Sequence, residues 1–159
     1  MAAPHTIANN APVLVMGLGV SGVSALRWLV AQGRQVVATD SRVAPKGIEA
    51  LRAEYPQVNF LLGGFAAPGP LSQFGQAVVS PGVSLNEPLV RELDAAGVEI
   101  VGDIELFARA VPAEVPRVAI TGTNGKSTVT TLLGEMARAA GLKVAMGGNL
   151  GTPALDLIA

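Results

Sequence analysis

The 159-residue sequence has no cysteine, one histidine, one tryptophan and one tyrosine. Lack of cysteine excludes disulfides and thiolate metal sites. The lone histidine, His5, sits in a polar, proline-containing N-terminal segment and reads as part of a disordered tail, not as a ligand. Charge is also scarce: 14% of residues are Asp, Glu, Lys or Arg, and the net charge is -1. The basic residues are scattered, so no nucleic-acid footprint is present. No basic region followed by an apolar core opens the chain, which argues against a signal peptide. No apolar run approaches the roughly 18 residues that would span a bilayer. The expectation is a soluble, cytoplasmic protein without membrane insertion or a nucleic-acid partner.

What is abundant is small and apolar. Half of the residues are hydrophobic and 19 are glycine. Val, Leu and Ile fall in short continuous runs, the pattern of strands covered on both faces in a parallel sheet. The fold class expected is therefore α/β.

A unit of apolar strand, glycine turn, amphipathic helix and Ala-Gly or Gln-Gly stop recurs along the chain. Strands are predicted at 12–16, 35–39, 58–62, 77–79 and 98–101. Helices are predicted at 20–32, 45–54 and 87–96, with Val23, Leu26 and Val30 on one face of the first. Gly33 stands where a C-terminal glycine cap belongs. Residues 63–70, rich in Gly and Pro, must be loop. Near Gly102-Asp103 the character changes. A helix over 104–110 leads into a proline-flanked linker at 111–116, and new strands are predicted at 117–120 and 143–146. Between them Val129, Leu132, Leu133, Met136 and Ala140 form a helical stripe ended by Gly141, and a further helix is expected at the end of the chain. We expect a Rossmann-like domain over 1–103 and the beginning of a second, incomplete α/β domain over 104–159.

Two glycine loops carry the chemistry. Gly122-Thr123-Asn124-Gly125-Lys126-Ser127-Thr128 lies between a predicted strand and an amphipathic helix. Its backbone N–H groups can form an anion nest at a helix N-terminus. Lys126 would reach the β- and γ-phosphates of ATP, and the Ser127 hydroxyl would meet Mg²⁺. The spacing is two residues shorter than the usual phosphate loop, and Ile120 stands where a glycine is expected. The other loop, Gly17-Leu18-Gly19-Val20-Ser21-Gly22, follows a strand and opens a helix, with Asp40 ending the next strand. Taken alone it would indicate NAD. Its glycines, however, admit a pyrophosphate whichever nucleoside is attached, so the reading is a diphosphate near Val20 and Ser21 with Asp40 at a polar edge. Two such loops imply two phosphorylated ligands, an energy donor and a nucleotide-linked substrate.

The segment Ala119 to Thr131 closely resembles the ATP loop of the Mur ligases, and that family has the same short spacing. Gly102-Asp103-Ile104-Glu105-Leu106-Phe107, Gly147-Gly148-Asn149-Leu150-Gly151, Ser80-Pro81-Gly82-Val83 and Gly17 to Gly22 resemble its D-glutamate-adding branch. The likeness runs over nearly the whole chain after the first ten residues and corresponds to the N-terminal part of such a ligase. It implies a Rossmann-like domain that binds the UDP of a substrate, followed by the start of a P-loop ATPase domain. Val20 and Ser21 match positions at the diphosphate. Asp40, Ser41 and Arg42 match the segment at the uracil, and Ser80 and Asn149 match further UDP-sugar contacts. Gly122 to Thr128 match the ATP loop, with Lys126 catalytic and Ser127 on magnesium. Plainer readings stand beside these: Ser80 as a turn former, Arg42 as a solvated charge, Asn149 as the stabiliser of a glycine bend.

The implied reaction joins D-glutamate to UDP-N-acetylmuramoyl-L-alanine through an acyl phosphate, in peptidoglycan synthesis, by an enzyme expected to be monomeric. Later parts of the family's central domain and its C-terminal domain supply a metal-binding Glu, a His, a carbamylated Lys and the D-glutamate site. The chain by itself is therefore expected not to ligate. Two other readings stay open: a stand-alone NAD- or ATP-binding module without catalysis, and a sibling ligase acting on another amino acid or on folate.

Overall fold

A computed structural model describes residues 11–148 and 151–158, so the expectations placed on His5 and Asn149 lie outside the described residues. The chain divides into two compact units, with the division between Asp103 and Ile104.

In the first unit the order is β1 (Val13–Met16), α1 (Val20–Ala31), β2 (Val36–Asp40), α2 (Ile48–Glu54), β3 (Asn59–Leu62), β4 (Gln76–Val79), α3 (Pro88–Ala95) and β5 (Glu99–Val101). A single 3-10 turn, Leu71–Gln73, precedes β4. The strands form one sheet in the order β3-β2-β1-β4-β5. Every pairing is parallel, with Val13 opposite both Val36 and Gln76.

β1 explains its own composition. All four residues are fully buried, because side chains alternate between two covered faces. Leu14 and Met16 join Ala77 and Val79 of β4 and Leu89, Val90 and Leu93 of α3 in one apolar cluster. Val13 and Val15 point the other way, and α1 buries Ala25, Leu26 and Leu29. Helices α1 and α3 stop by the same device. Gly33 and Gly97 take positive φ (73° and 77°), and the next residue's N–H returns to the helix, Arg34 to Leu29 O and Val98 to Leu93 O, each at 3.0 Å.

Chain direction in the sheet reverses once. From β1 the chain moves outward through β2 and β3, then crosses back to place β4 on β1's other side. The carboxyl ends of β1 and β4 therefore splay apart at a switch point, where open α/β sheets bind ligands.

α4 (Asp103–Ala110) begins at the division, and the second unit continues through α5 (Lys126–Ala139) to a 3-10 turn at Leu155–Leu157. Arg117 Nη1 donates to Ala108 O at 2.6 Å, tying the proline-flanked segment back to α4. The strands expected at 117–120 and 143–146 are not formed; both segments lack regular secondary structure. A strand needs a neighbour for its backbone N–H and C=O groups, and no described residue of this unit belongs to a sheet. The stripe on α5 is correspondingly open: Val129, Leu132 and Met136 are half or more exposed. At the chain's end, the helix anticipated from sequence is only that single 3-10 turn. Among the described residues, no helix is long and apolar enough to cross a membrane.

Candidate functional site

The loops that follow β1, β2, β3 and β4 meet at the carboxyl edge of the first unit's sheet. Gly17 leaves β1 with φ of 88°, and its N–H donates to Thr39 O at 2.8 Å. Its carbonyl accepts the Ser80 Oγ–H, also at 2.8 Å. A Cβ on Gly22 would lie 1.7 Å from that same carbonyl oxygen, so only glycine lets α1 begin here. Gly19 differs: a Cβ there would meet nothing within 4 Å. That open flank borders the start of α1, where Gly19 is the N-cap and makes no side-chain cap. The N–H groups of Val20, Ser21 and Gly22 occupy the first turn, which has no intrahelical acceptors. A diphosphate approaching Gly19 would meet these donors and the positive helix end. Val20 itself is 72% exposed.

Asp40, at the end of β2, is enclosed. Its Oδ1 accepts from the Arg42 backbone N–H and Nε–H, both at 2.8 Å. Oδ2 accepts from the Leu18 N–H at 2.6 Å and Arg42 Nη2 at 2.7 Å. Burial pushes its pKa up, but the bonds from Arg42 and Leu18 outweigh burial and lower it to about 2. Ser41 is exposed, and the Arg42 side chain is 54% exposed. Ser80 is buried, pointing at the Gly17 carbonyl, so its hydroxyl serves the loop in the chain as it stands.

Two features of this edge are not foreseen by the motif reading. Thr39, fully buried, accepts the Ala66 N–H at 2.9 Å and donates to Gly64 O at 3.3 Å. The Asp40 carbonyl accepts Gly63 N–H and Gly64 N–H. Together they strap the Gly/Pro-rich loop onto β2. The signal was a threonine within a run otherwise read only as a buried strand. A hollow of about 520 Å³ opens at the opposite, amino edge beside Arg34, Gln35 and Gln57, away from these loops.

In the second unit, Gly122 to Thr128 is exposed throughout. Gly122 and Gly125 take positive φ (153° and 75°), and Gly125 is the N-cap of α5 without a side-chain cap. Lys126 Nζ folds back to donate to Gly122 O at 2.5 Å. Backbone donors at a helix start, a lysine over the loop and the neighbouring Ser127 and Thr128 hydroxyls form a donor set that suits a polyphosphate. Among the described residues no group of three or more His, Cys, Asp or Glu is arranged to hold a metal ion. A magnesium ion here would rest on the Ser127 hydroxyl and on phosphate oxygens, in keeping with that ion's habits.

Residues 11–102 match the family described as Mur ligase MurD-like, N-terminal domain. The UDP-N-acetylmuramoylalanine--D-glutamate ligase of Marinobacter nauticus is 50% identical over 152 residues, covering 96% of this chain and 33% of that protein. The protein of the same name from Shewanella violacea is 51% identical over 146 residues, covering 91% of this chain and 32% of its own. The chain thus spans about a third of the length of the curated relatives it matches. Among solved structures, a pseudomurein peptide ligase type C from Methanothermus fervidus superposes with a TM-score of 0.51 at 24% identity, over 89% of this chain and 29% of that one. At that identity the likeness speaks to fold alone.

Proposed function

The chain belongs to the Mur ligase family through its MurD-like N-terminal domain, and from that premise we propose that residues 1–103 bind the UDP end of UDP-N-acetylmuramoyl-L-alanine and residues 104–159 begin an ATP-binding domain. The observation that carries the proposal is the open flank of Gly19 beside the uncapped start of α1, held in place by Ser80 and Asp40. Val20 and Ser21 would meet the diphosphate. The Asp40-Ser41-Arg42 segment would border the uracil, and Ser80 would lie toward the sugar; the sugar contact expected of Asn149 falls outside the described residues.

The whole enzyme, on this reading, is an ATP-dependent ligase of the cytoplasm that adds D-glutamate to this substrate in peptidoglycan synthesis. A carboxylate is a poor electrophile, so the alanine carboxylate first takes the γ-phosphoryl group and becomes an acyl phosphate. The D-glutamate amine then attacks the acyl carbon, phosphate leaves and the nitrogen sheds a proton. Bound ATP with magnesium supplies the phosphoryl group and neutralises charge upon it. In this chain, Gly122 to Gly125 would cradle the phosphates, Lys126 would offset charge growing on the transferred group, and Ser127 would fix the ion. The protein contributes mainly positioning. The chain alone is read as binding without ligating.

Calorimetric titration of the chain with UDP, NAD and ATP tests the proposal. UDP is expected to bind more tightly than NAD; the reverse order would reject it. UDP-N-acetylmuramoyl-L-alanine-dependent release of ADP by the isolated chain would reject the last statement alone.

A further inference from the structure

Resting on that reading and deepening it, we infer that Asp40 is a positioning residue that aims Arg42 at the crevice mouth and pins the Gly17–Gly22 loop, and that this engagement makes the crevice refuse NAD.

An ionised carboxylate offers about four lone-pair sites. In Asp40 each oxygen accepts two N–H donors, three from Arg42 and one from Leu18. Its side chain is only 3% exposed. No acceptor capacity remains for a ligand. In dinucleotide-binding sheets the acidic residue at this place accepts from ribose hydroxyls. Here a ribose diol would have to break the bonds to Arg42 first.

The guanidinium, in contrast, is spent only in part. Arg42 gives Nε–H and one Nη2–H to Asp40. Of its five side-chain donors, three remain for a ligand on a half-exposed side chain. An exposed arginine ordinarily samples many rotamers, whereas the bidentate fork fixes this one before a ligand arrives. The acidic residue at the end of β2 therefore acts at second hand: it selects for acceptor oxygens, on a pyrimidine or a phosphate, through the cation it holds.

The test is a double-mutant cycle with Asp40→Asn and Arg42→Ala in the whole chain, titrated with UDP, NAD and NADP at one salt concentration. Arg42→Ala is expected to weaken UDP by about tenfold, the scale of a charge-assisted hydrogen bond, and to narrow the preference for UDP over NAD. Asp40→Asn is expected to weaken UDP comparably in the native background. On top of Arg42→Ala it should cost less than about twofold, because the asparagine oxygen can still accept the Leu18 N–H and the rest of the effect passes through Arg42. Equal cost in both backgrounds would overturn the inference. If Asp40→Asn fails to fold, Arg42→Ala decides by itself: an unchanged ratio of UDP to NAD affinity overturns it.

Failure of the functional reading looks different. Tightest binding of NADP, or no binding of UDP, would reject the UDP assignment. The fork would then be judged by the Arg42 Nε–H resonance, which should exchange slowly with water in the native chain and rapidly in Asp40→Asn. Equal exchange would overturn the inference without reference to any nucleotide.

Discussion

Ser80 and Gly17, 63 residues apart in sequence, are joined by a buried hydrogen bond of 2.8 Å from the Ser80 hydroxyl to the Gly17 carbonyl. The bond links the ends of β1 and β4, the two strands that flank the switch point. With Gly22 packed against the same carbonyl, the loop has one path.

Ser80→Ala should therefore cost stability and shape together. The Gly17 carbonyl would keep its buried place and lose its donor, a penalty of about 1–3 kcal/mol. The expected outcome is a lower urea midpoint with an unchanged m-value. An unchanged midpoint would mean that water replaces the serine and that the loop needs no clamp.

Gly22→Ala and Gly19→Ala separate packing from propensity. A Cβ at position 22 would sit 1.7 Å from the Gly17 oxygen, whereas one at position 19 meets nothing. Gly22→Ala should unfold the loop or the domain. Gly19→Ala, at an extended N-cap, should cost only about 0.5–1 kcal/mol, because alanine is a poorer cap than glycine. It should still reduce UDP binding, since the methyl group enters the flank where the diphosphate is placed. Circular dichroism melts and UDP titration of both variants check this; equal melting temperatures would contradict the packing.

Sequence periodicity revealed β1, β2 and β4 as largely buried apolar runs, and β3 and β5 as short, partly buried runs stopped by Gly63 and Gly102; local patterns suffice for such elements. Gly17, Gly22 and Asp40 were visible as a motif, yet their partners were not. Ser80 reaches Gly17 from 63 residues away, and Thr39 meets Ala66 from 27 away, distances at which no local pattern operates. The second unit departs further from its sequence. Val118 to Ile120 has strand composition, but strand formation depends on a neighbour that periodicity cannot supply. Gly134, in the middle of α5, has a tertiary cause as well: a Cβ there would lie 2.0 Å from Met146 Sδ.

Acid should expose the Asp40 cluster. Its folded pKa, about 2, lies below the ordinary 3.8. The unfolded chain therefore takes up this proton first, and the stabilisation is complete above about pH 5. It drains away as pH falls through 4 toward 2, a change of roughly 2 kcal/mol. Denaturation of the native chain and Asp40→Asn at pH 7, 4 and 2.5 should show a stability gap that narrows with acid. A gap independent of pH would mean that the carboxylate charge contributes nothing.

The open face of α5 carries a different expectation. Leu132 and Met136 are 59% and 60% exposed beside Val129 at 51%. Contiguous apolar surface of this kind favours association. Leu132→Glu with Met136→Glu should lower concentration-dependent self-association in analytical ultracentrifugation. The domain of residues 1–103 should keep its melting temperature, since exposed positions seldom matter by more than about 0.5 kcal/mol. Unaltered association would place the sticky surface elsewhere.

Lys126 offers the sharpest separation of the two loops. Its ammonium rests on the Gly122 carbonyl, 2.5 Å away, in an exposed setting where such a contact adds little stability. For a triphosphate to bind, the ammonium must exchange that carbonyl for phosphate oxygens, a stronger charge-assisted partner. Lys126→Ala should then leave folding intact and weaken ATP by about tenfold or more. Lys126→Arg should recover only part of the loss, because a planar fork does not occupy the position of a compact ammonium. The same variants should bind UDP as the native chain does, since that site belongs to the first unit. Titrating each protein with both nucleotides checks this: a matched loss of UDP and ATP would indicate general unfolding, and full retention of ATP would remove Lys126 from the phosphate site.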